Sequence, residues 1–425
     1  MAFWVHVAAS RHPDRVAIEG PERSLTYVEL SSEAIACSNA LAALTDRSRV
    51  ALALASPEEF VVTLHGCLLS GKAAVPVDLR LSEEERVRRL AGAEVVVTEP
   101  PRASTGGMPM IMGDSDIDVA VMHTSGTTAA PKPIALTYDN FQASALGSSL
   151  ALGLDQAERW LCPMPLTHVG GLSIPIRSAI YATTAVLHGR FDTEAVLNEL
   201  MDPGRRITMV SLVPTMLARL LDAGLESPPT LRWALLGGGP IPAALLDQAS
   251  AAAVPVAPTY GMTEACSQIA TFGWPLPGVE VALGGPEHEI IVRGPIVAPA
   301  ARDERGWLHT GDLGHFGERS RLEVVGRKAD TIVTGGENVS PVEVEKMLLI
   351  HPAVADAGVF GRPDPEWGEA IVAAVVLRDG QSVEADELRA FCAEHMASFK
   401  APKAIEFVER LPRTESGKLL RRELG

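Results

Sequence analysis

The stretch His123 to Lys132, HTSGTTAAPK, gathers the side chains that phosphate requires: hydroxyls on Thr124, Ser125, Thr127 and Thr128, a flexible Gly126, and a cation at Lys132. It follows the apolar run Val119-Ala120-Val121-Met122. A β-rich approach therefore breaks into a loop rich in N–H and O–H donors, the composition that wraps phosphate. It is not a Walker A loop, because Pro131 stands five residues after Gly126, where that motif needs its second glycine before Lys-Ser/Thr. The first expectation is phosphate chemistry outside the P-loop NTPases. By composition alone the same residues would also suit a plain connection.

Other residues add to this chemistry. Glu264 in TYGMTE follows the β-like VAPTY. Phosphate chemistry needs negative charge stabilised, which calls for magnesium on oxygen ligands, and Glu264 is the candidate ligand. Its structural alternative is a charge at a helix N-terminus. Gly237, Gly238 and Gly239 in LLGGGP allow close approach to a flat ring, or only a strand-to-helix turn. Asp312 in GWLHTGD is a turn carboxylate suited to two ribose hydroxyls, or to capping the turn. Lys418 in ESGK would otherwise be dismissed as tail charge. His168 is a lone histidine in an apolar segment, a setting that more often makes a hydrogen-bonded core residue than a catalyst.

The TSGTTAAPK stretch resembles the phosphate-loop signature of the adenylate-forming superfamily of acyl- and aryl-CoA ligases, luciferases and peptide-synthetase adenylation domains. Eight further segments follow that family's order: LTYVEL (25–30), AAVPVD (73–78), PLTHVGG (165–171), LLGGGP (235–240), TYGMTE (259–264), GWLHTGD (306–312), GRKADTIVTGGENVSPVEVE (326–345) and LPRTESGKLLRREL (411–424). They span nearly the whole chain. One departure is Ala129, where the family usually has glycine.

The resemblance implies ATP, Mg2+ and coenzyme A, and a reaction in two halves: a carboxylate attacks the α-phosphate of ATP, then a thiol displaces AMP. It places Thr124 to Thr128, Lys132, Gly237 to Gly239, Thr259, Tyr260, Gly261, Asp312 and Arg327 around the nucleotide. Tyr260 packs on adenine, Thr263 contacts the α-phosphate, Glu264 holds the metal, and Arg327 lies beside the ribose. Lys418 bridges substrate carboxylate and α-phosphate, an electrostatic role aimed at charge developing in the transition state. His168 becomes a gate between nucleotide and acyl pockets. The smaller C-terminal domain hinges near Lys328, with Gly335 and Gly336 lining a thiol channel and Lys400 and Lys403 meeting the phosphates of coenzyme A.

Substrate identity is expected in residues 168–177 and 259–271. HVGGLSIPIR, GGGPIP and YGMTEACSQIAT resemble most the ligases for an aromatic acid that carries a ketone and a second carboxylate. Such groups cost ~1–3 kcal/mol or more if left unpaired, and Ser173, Arg177, Ser267 and Gln268 are the candidate partners. For Arg177 a helix-surface charge remains an equal alternative. The competing functions are a ligase for another aryl or medium-chain acid, an adenylation enzyme loading a separate carrier protein, and a non-catalytic acyl or nucleotide sensor; Lys418 and Glu264 argue against the last.

The elements that must position these residues are legible as an alternation. Helices are expected over Tyr27 to Leu44, Pro57 to Ser70 and Ser82 to Ala91, with strands over Val50 to Ala55, Ala73 to Val77 and Val95 to Thr98. After the phosphate loop come strands Ile207 to Leu212 and Arg232 to Leu236 and helices Pro214 to Ala223 and Pro242 to Ala252. Strands and helices taking turns predict parallel sheets covered by helices. From Gly278 to Val325 only short strands appear, expected as a small antiparallel sheet or barrel. A polar, glycine-bearing segment then leads to helix Pro341 to Leu349, strands Val354 to Phe360 and Glu369 to Arg378, helix Glu384 to Ser398 and strand Ala404 to Phe407. The expected fold is α/β: a large N-terminal domain, residues 1–326, binding ATP and acid, and a small mobile α+β domain, residues 327–425.

With 425 residues, 47% hydrophobic and 21% charged, the chain reads as globular. A formal charge of −16 argues against nucleic acid or an anionic membrane as partner. Five scattered cysteines without a CxxC pair suit reduced thiols in the cytoplasm. The N-terminal apolar run reads as a packed helix and not a signal peptide. The apolar region from Gly171 to Leu187, interrupted by Pro175 and Arg177, is too short for a bilayer. A homodimer is allowed but not indicated.

Overall fold

The structure, a computed structural model, describes residues 3–103, 116–124, 132–413 and 419–424. Its largest sheet has nine strands. Six of them, Val256–Met262, Trp233–Leu236, Met209–Leu212, Arg159–Cys162, Thr184–Leu187 and Val16–Glu19, run parallel in that spatial order. Ser24–Thr26 closes one edge antiparallel, and Ser267–Thr271 with Trp274–Pro275 closes the other. Met209–Leu212 and Thr184–Leu187 are buried along their whole length, which is why they read as continuous apolar runs.

A second sheet orders Val95–Val97, Arg49–Leu52, Ala73–Pro76, Asp118–His123 and Pro133–Thr137, the last antiparallel to its neighbour. The LTYVEL segment starts a helix by a capping box: Thr26 accepts from the Glu29 amide, and Glu29 reaches back to the Thr26 amide at 2.8 Å. Buried Tyr27, next in line, puts its hydroxyl 2.7 Å from Ser178 O and 2.6 Å from Thr183 O, joining the Tyr27–Leu44 helix to the largest sheet.

The expected strands and helices around these sheets are found, most within two or three residues of their expected ends. The helix expected over Ser82 to Ala91 stops early, at Glu83–Arg88. Residues 171–187 form no membrane segment: Val169–Tyr181 is a core helix, buried from Gly171 to Ala179 and leading into strand Thr184–Leu187. No described helix is long and apolar enough to cross a membrane. The N-terminal run is a packed helix, Trp4–Arg11, with Trp4 stacked on Tyr138 at 4.3 Å between ring centroids. All five cysteines are buried and unpaired.

Strands Glu280–Gly284, Glu289–Arg293, Leu308–Phe316 and Leu322–Arg327 make a four-stranded antiparallel sheet whose pairing ends at Asp312 and Arg327. A final five-stranded sheet is built on the long hairpin Val354–Asp364 and Gly368–Leu377, with Ala404–Phe407 parallel to the latter. Helices Pro341–Ile350 and Ala385–His395 supply its core with Val344, Leu348, Leu388 and Cys392. The polar segment before it hides a hairpin that the sequence reading missed, Ile332–Thr334 against Glu337–Val339.

Helix Pro57–Leu69 carries His65 into the core at 2% exposure, with no hydrogen-bond partner for Nε2. Burial alone pushes its imidazole down to about 4, from an ordinary 6.5. The unfolded chain takes up this proton near pH 6.5 and the folded chain only near 4, so the stabilisation is complete above that window and is lost as pH falls through it. The expected loss is on the order of 3 kcal/mol by pH 4. Urea-unfolding midpoints measured from pH 7 to 4.5 should therefore fall more steeply for the wild type than for His65→Gln.

Candidate active site

The two ends of the phosphate loop are held by the strand pair that brackets it: His123 lies opposite Pro133, and the Thr124 amide donates to Lys132 O at 3.2 Å. Ser125, Gly126, Thr127 and Thr128 lie outside the described residues, as does Lys418. Lys132 borders a cavity of about 330 Å³ shared with Glu264, Arg302, Asp303, Trp307 and His309. Glu264 sits in the short turn Thr263–Ala265, fixed by its carbonyl accepting from the Ala298 amide at 2.8 Å. Sequence reasoning missed Arg302, which sits in no motif, and His309, although it lies within GWLHTGD. Arg302 donates from Nε and Nη2 to Val297 O, at 3.1 and 2.6 Å. His309 stands between Glu289 at 3.6 Å and Asp303 at 3.4 Å.

Three of the expected nucleotide residues, Tyr260, Asp312 and Arg327, converge. Buried Asp312 accepts from the Tyr260 hydroxyl at 2.7 Å and ion-pairs with Arg327 at 2.6 Å. Burial, and then the negative charge of Asp312, raise the Tyr260 phenol, so Tyr260 stays protonated and donates. Gly237 permits a close approach, but between strands: a Cβ there would lie 2.7 Å from Thr259 Cγ2. Gly239 borders open space and Gly238 has φ +82°. Thr259 spends its hydroxyl on Ala270 O at 2.9 Å, and Gly261 lies against Ser267 O where a bulge interrupts the strand pair.

His168 precedes helix Val169–Tyr181 and, with Asp78 in electrostatic reach, faces the second sheet. It keeps contact with solvent, yet protein crowds the ring, and desolvation outweighs the pull of Asp78 to lower its pKa and leave it neutral at pH 7. Among the acid-pocket candidates, Arg177 is no surface charge: it is 2% exposed, with Nη2 3.0 Å from Ser144 Oγ and its plane near Trp160. Its Nε has no partner, and no carboxylate among the described residues pairs with it. Gln268 is likewise buried, its Nε2 on Thr271 and its Oε1 unmatched. Ser173 turns back on its own helix, donating to Val169 O at 2.6 Å, which leaves its hydroxyl hydrogen unavailable to a substrate. Ser267 is half-buried with φ +90°.

On the last sheet, Gly335 and Gly336 are the two central residues of the missed hairpin, with φ +59° and +84°, so that turn explains both glycines. Lys403 lies 4.4 Å from the Trp367 ring centroid, while Lys400 is paired with Glu343 at 2.6 Å and is not an unengaged cation. A larger cavity, about 580 Å³, opens around Glu19, Glu199 and Arg205, far from every motif in chemistry and lined by ion pairs that satisfy one another.

The chain belongs to the AMP-binding enzyme family. It matches the AMP-binding enzyme family over residues 5–108 and 99–300, and the AMP-binding enzyme C-terminal domain over 343–418. Among its relatives is the 2-succinylbenzoate–CoA ligase of Bacillus licheniformis, 38% identical over 99% of this chain and 98% of that protein. Its fold is similar to the o-succinylbenzoate CoA synthetase of Bacillus subtilis in complex with the acyl-adenylate intermediate OSB-AMP, with a TM-score of 0.90 at 35% identity, over 100% of this chain and 98% of that one. A double mutant of that synthetase bound to the product analogue OSB-NCoA has the same identity and coverage but a TM-score of 0.73.

Lys132→Ala should weaken ATP binding roughly ten- to hundredfold, as expected for losing a hydrogen bond to charged phosphate. Arg302→Ala, whose guanidinium is already engaged by Val297 O, should weaken it a few-fold. Titration calorimetry with ATP measures both.

Proposed function

We propose that the protein is an AMP-forming acid–thiol ligase that converts o-succinylbenzoate, ATP and coenzyme A to o-succinylbenzoyl-CoA, AMP and pyrophosphate, a step in making menaquinone. The observation that carries this reading is the Tyr260–Asp312–Arg327 cluster, set on the strand that leads into the Glu264 turn and on the strand that carries His309, two residues that line the Lys132 cavity. A nucleoside triphosphate would turn its phosphates toward Lys132 and Arg302 and its ribose hydroxyls toward Asp312. Fixed charges of this kind hold the α-phosphate where the acid's carboxylate attacks it, and positioning and charge neutralisation do most of the work.

Magnesium suits the donor set. Among the described residues no cluster of three or more His, Cys, Asp or Glu could cage a metal, but Mg2+ is usually held by one or two carboxylates together with substrate oxygens and water. Glu264 would hold it, and when bound it neutralises phosphate charge. Thr263 would donate to the α-phosphate, and Lys418 would bridge that phosphate and the acid. In the second half the thiol sulfur bonds to the acyl carbon, the acyl–phosphate bond breaks, AMP leaves, and the thiol proton passes to solvent. Lys403, Gly335 and Gly336 would then line the approach of coenzyme A, with residues 327–425 turning as a lobe. Neutral His168 would separate nucleotide and acyl pockets.

Arg177 supports an acid with a second carboxylate. A buried guanidinium without a carboxylate is costly, and an anionic ligand group repairs that deficit. Gln268 and Ser267 add polar partners for the ketone. The reaction needs neither nucleic acid nor membrane and suits the cytoplasm; a homodimer is compatible with it.

Pyrophosphate release with ATP, magnesium and a panel of acids tests the reading. O-succinylbenzoate should exceed benzoate and octanoate by at least tenfold in kcat/KM, and equal rates would sink the substrate assignment. Lys418→Ala should slow single-turnover pyrophosphate release about 10²-fold, and Arg177→Met should raise KM for o-succinylbenzoate more than it lowers kcat.

A further inference from the structure

A charge cluster that the nucleotide site does not use crosses the junction between the last two sheets. Lys328 Nζ lies 2.7 Å from Glu287 Oε2 and 4.0 Å from Glu289 Oε2. Glu287 stands in the tight 285–288 turn, where Gly285 and His288 both take positive φ. Glu289 is fixed at the start of the next strand, its Oε1 accepting from the Gly311 amide at 3.0 Å and its Oε2 near His309. Both carboxylates belong to the antiparallel sheet that also carries Asp312.

Lys328 itself is anchored on the other side. It opens the single 3-10 turn Lys328–Asp330, closed by the Thr331 amide on Lys328 O at 3.2 Å. Asp330, at the far end of that turn, ion-pairs with Arg421 at 2.8 Å. Arg421 in turn forks onto both oxygens of Glu345 and reaches Val359 O, so the turn is tied into the final sheet and its helix. Arg327, one residue earlier, is held by Asp312 in the preceding sheet. Adjacent residues are thus fixed to opposite bodies, and the Lys328 side chain reaches back across, as does the Ser340 hydroxyl, which donates to Val325 O at 3.0 Å. At equal identity and coverage, the Bacillus subtilis acyl-adenylate complex is more similar to this chain than the OSB-NCoA complex, with TM-scores of 0.90 and 0.73.

We propose that Glu287, with Glu289 behind it, latches Lys328 so as to hold the C-terminal lobe in the orientation seen here, and that this contact sets how the enzyme divides its time between its two half-reactions. The proposal rests on the two-step ligase reading above. Lys328 and Glu287 are 48% and 42% exposed, so the pair is screened and adds little to unfolding stability. An equilibrium between two orientations near balance is more sensitive, because a small differential contact moves populations severalfold. Glu287 touches no reacting atom in this account. It is a positioning residue acting through Lys328.

The test separates the halves. Single-turnover pyrophosphate release reports adenylation, and acyl-CoA formation from supplied acyl-adenylate reports thioester formation. In Glu287→Gln the first should fall roughly two- to fivefold while the second holds or rises by a similar factor, and Glu287→Asp should restore the wild-type ratio. Added salt should move the wild-type ratio toward that of Glu287→Gln and leave the variant unmoved. Small-angle scattering of the ligand-free proteins, which needs no turnover, should show the variant's lobe displaced from the orientation described here. Both halves falling together, or neither rate nor scattering changing, overturns the latch. A wild type that makes no adenylate with any acid overturns the ligase reading instead, and the scattering comparison still decides on the latch.

Discussion

The Asp312 carboxylate is the contact on which the rest of this structure converges. It is buried at the end of a strand pair, and its two oxygens are shared between a phenol from the edge of the parallel sheet and a guanidinium from the last residue of the antiparallel sheet. A buried carboxylate is tolerable only with such partners, because isolated burial of the charge would be prohibitive. The same need for partners draws Tyr260 and Arg327 to one point. Three bodies of the chain therefore meet at a single charge: the nine-stranded sheet, the four-stranded sheet and the start of the segment leading into the C-terminal lobe.

What surrounds that point is built from two kinds of interaction. Apolar strands such as Met209–Leu212 and Thr184–Leu187 give a rigid floor through burial on both faces. The candidate groups then stand on loops and strand ends just past the floor: Lys132 at the end of the loop between two paired strands, Glu264 on a short turn, Asp312 at the end of a pairing. A cation buried without a carboxylate, Arg177, breaks the usual rule of compensated charge inside the same region. Local rules are broken most readily where a ligand completes the interaction.

Much of this was legible in the sequence because it depends on local patterns. The alternation of buried strands and helices and the order of the motifs are both short-range signals. The convergence of Tyr260, Asp312 and Arg327 was also expected, through resemblance rather than spacing. Other features depend on distant packing and escaped. The hairpin Ile332–Thr334 with Glu337–Val339 has strands of three residues in a polar stretch, too short for period-two alternation to register. Arg302, just past a 3-10 turn, and His309, on the strand that also carries Asp312, line the Lys132 cavity only because segments distant in sequence fold beside it. Ser173 read as a pocket residue, but a helical serine in this setting returns its hydroxyl to the backbone. Arg177 read equally well as surface or interior, and the packing of its helix between the nine-stranded sheet and helices Trp4–Arg11 and Tyr138–Leu152 decided for the interior.

The account stands or falls with Asp312 as the nucleotide anchor. Asp312→Asn keeps the side chain's shape and an acceptor for Tyr260 while removing the charge that meets Arg327. Titration calorimetry should find ATP and AMP bound at least tenfold more weakly by this variant than by the wild type, with thermal unfolding shifted by no more than a few degrees. Unchanged affinity for both nucleotides in a folded variant would contradict the account.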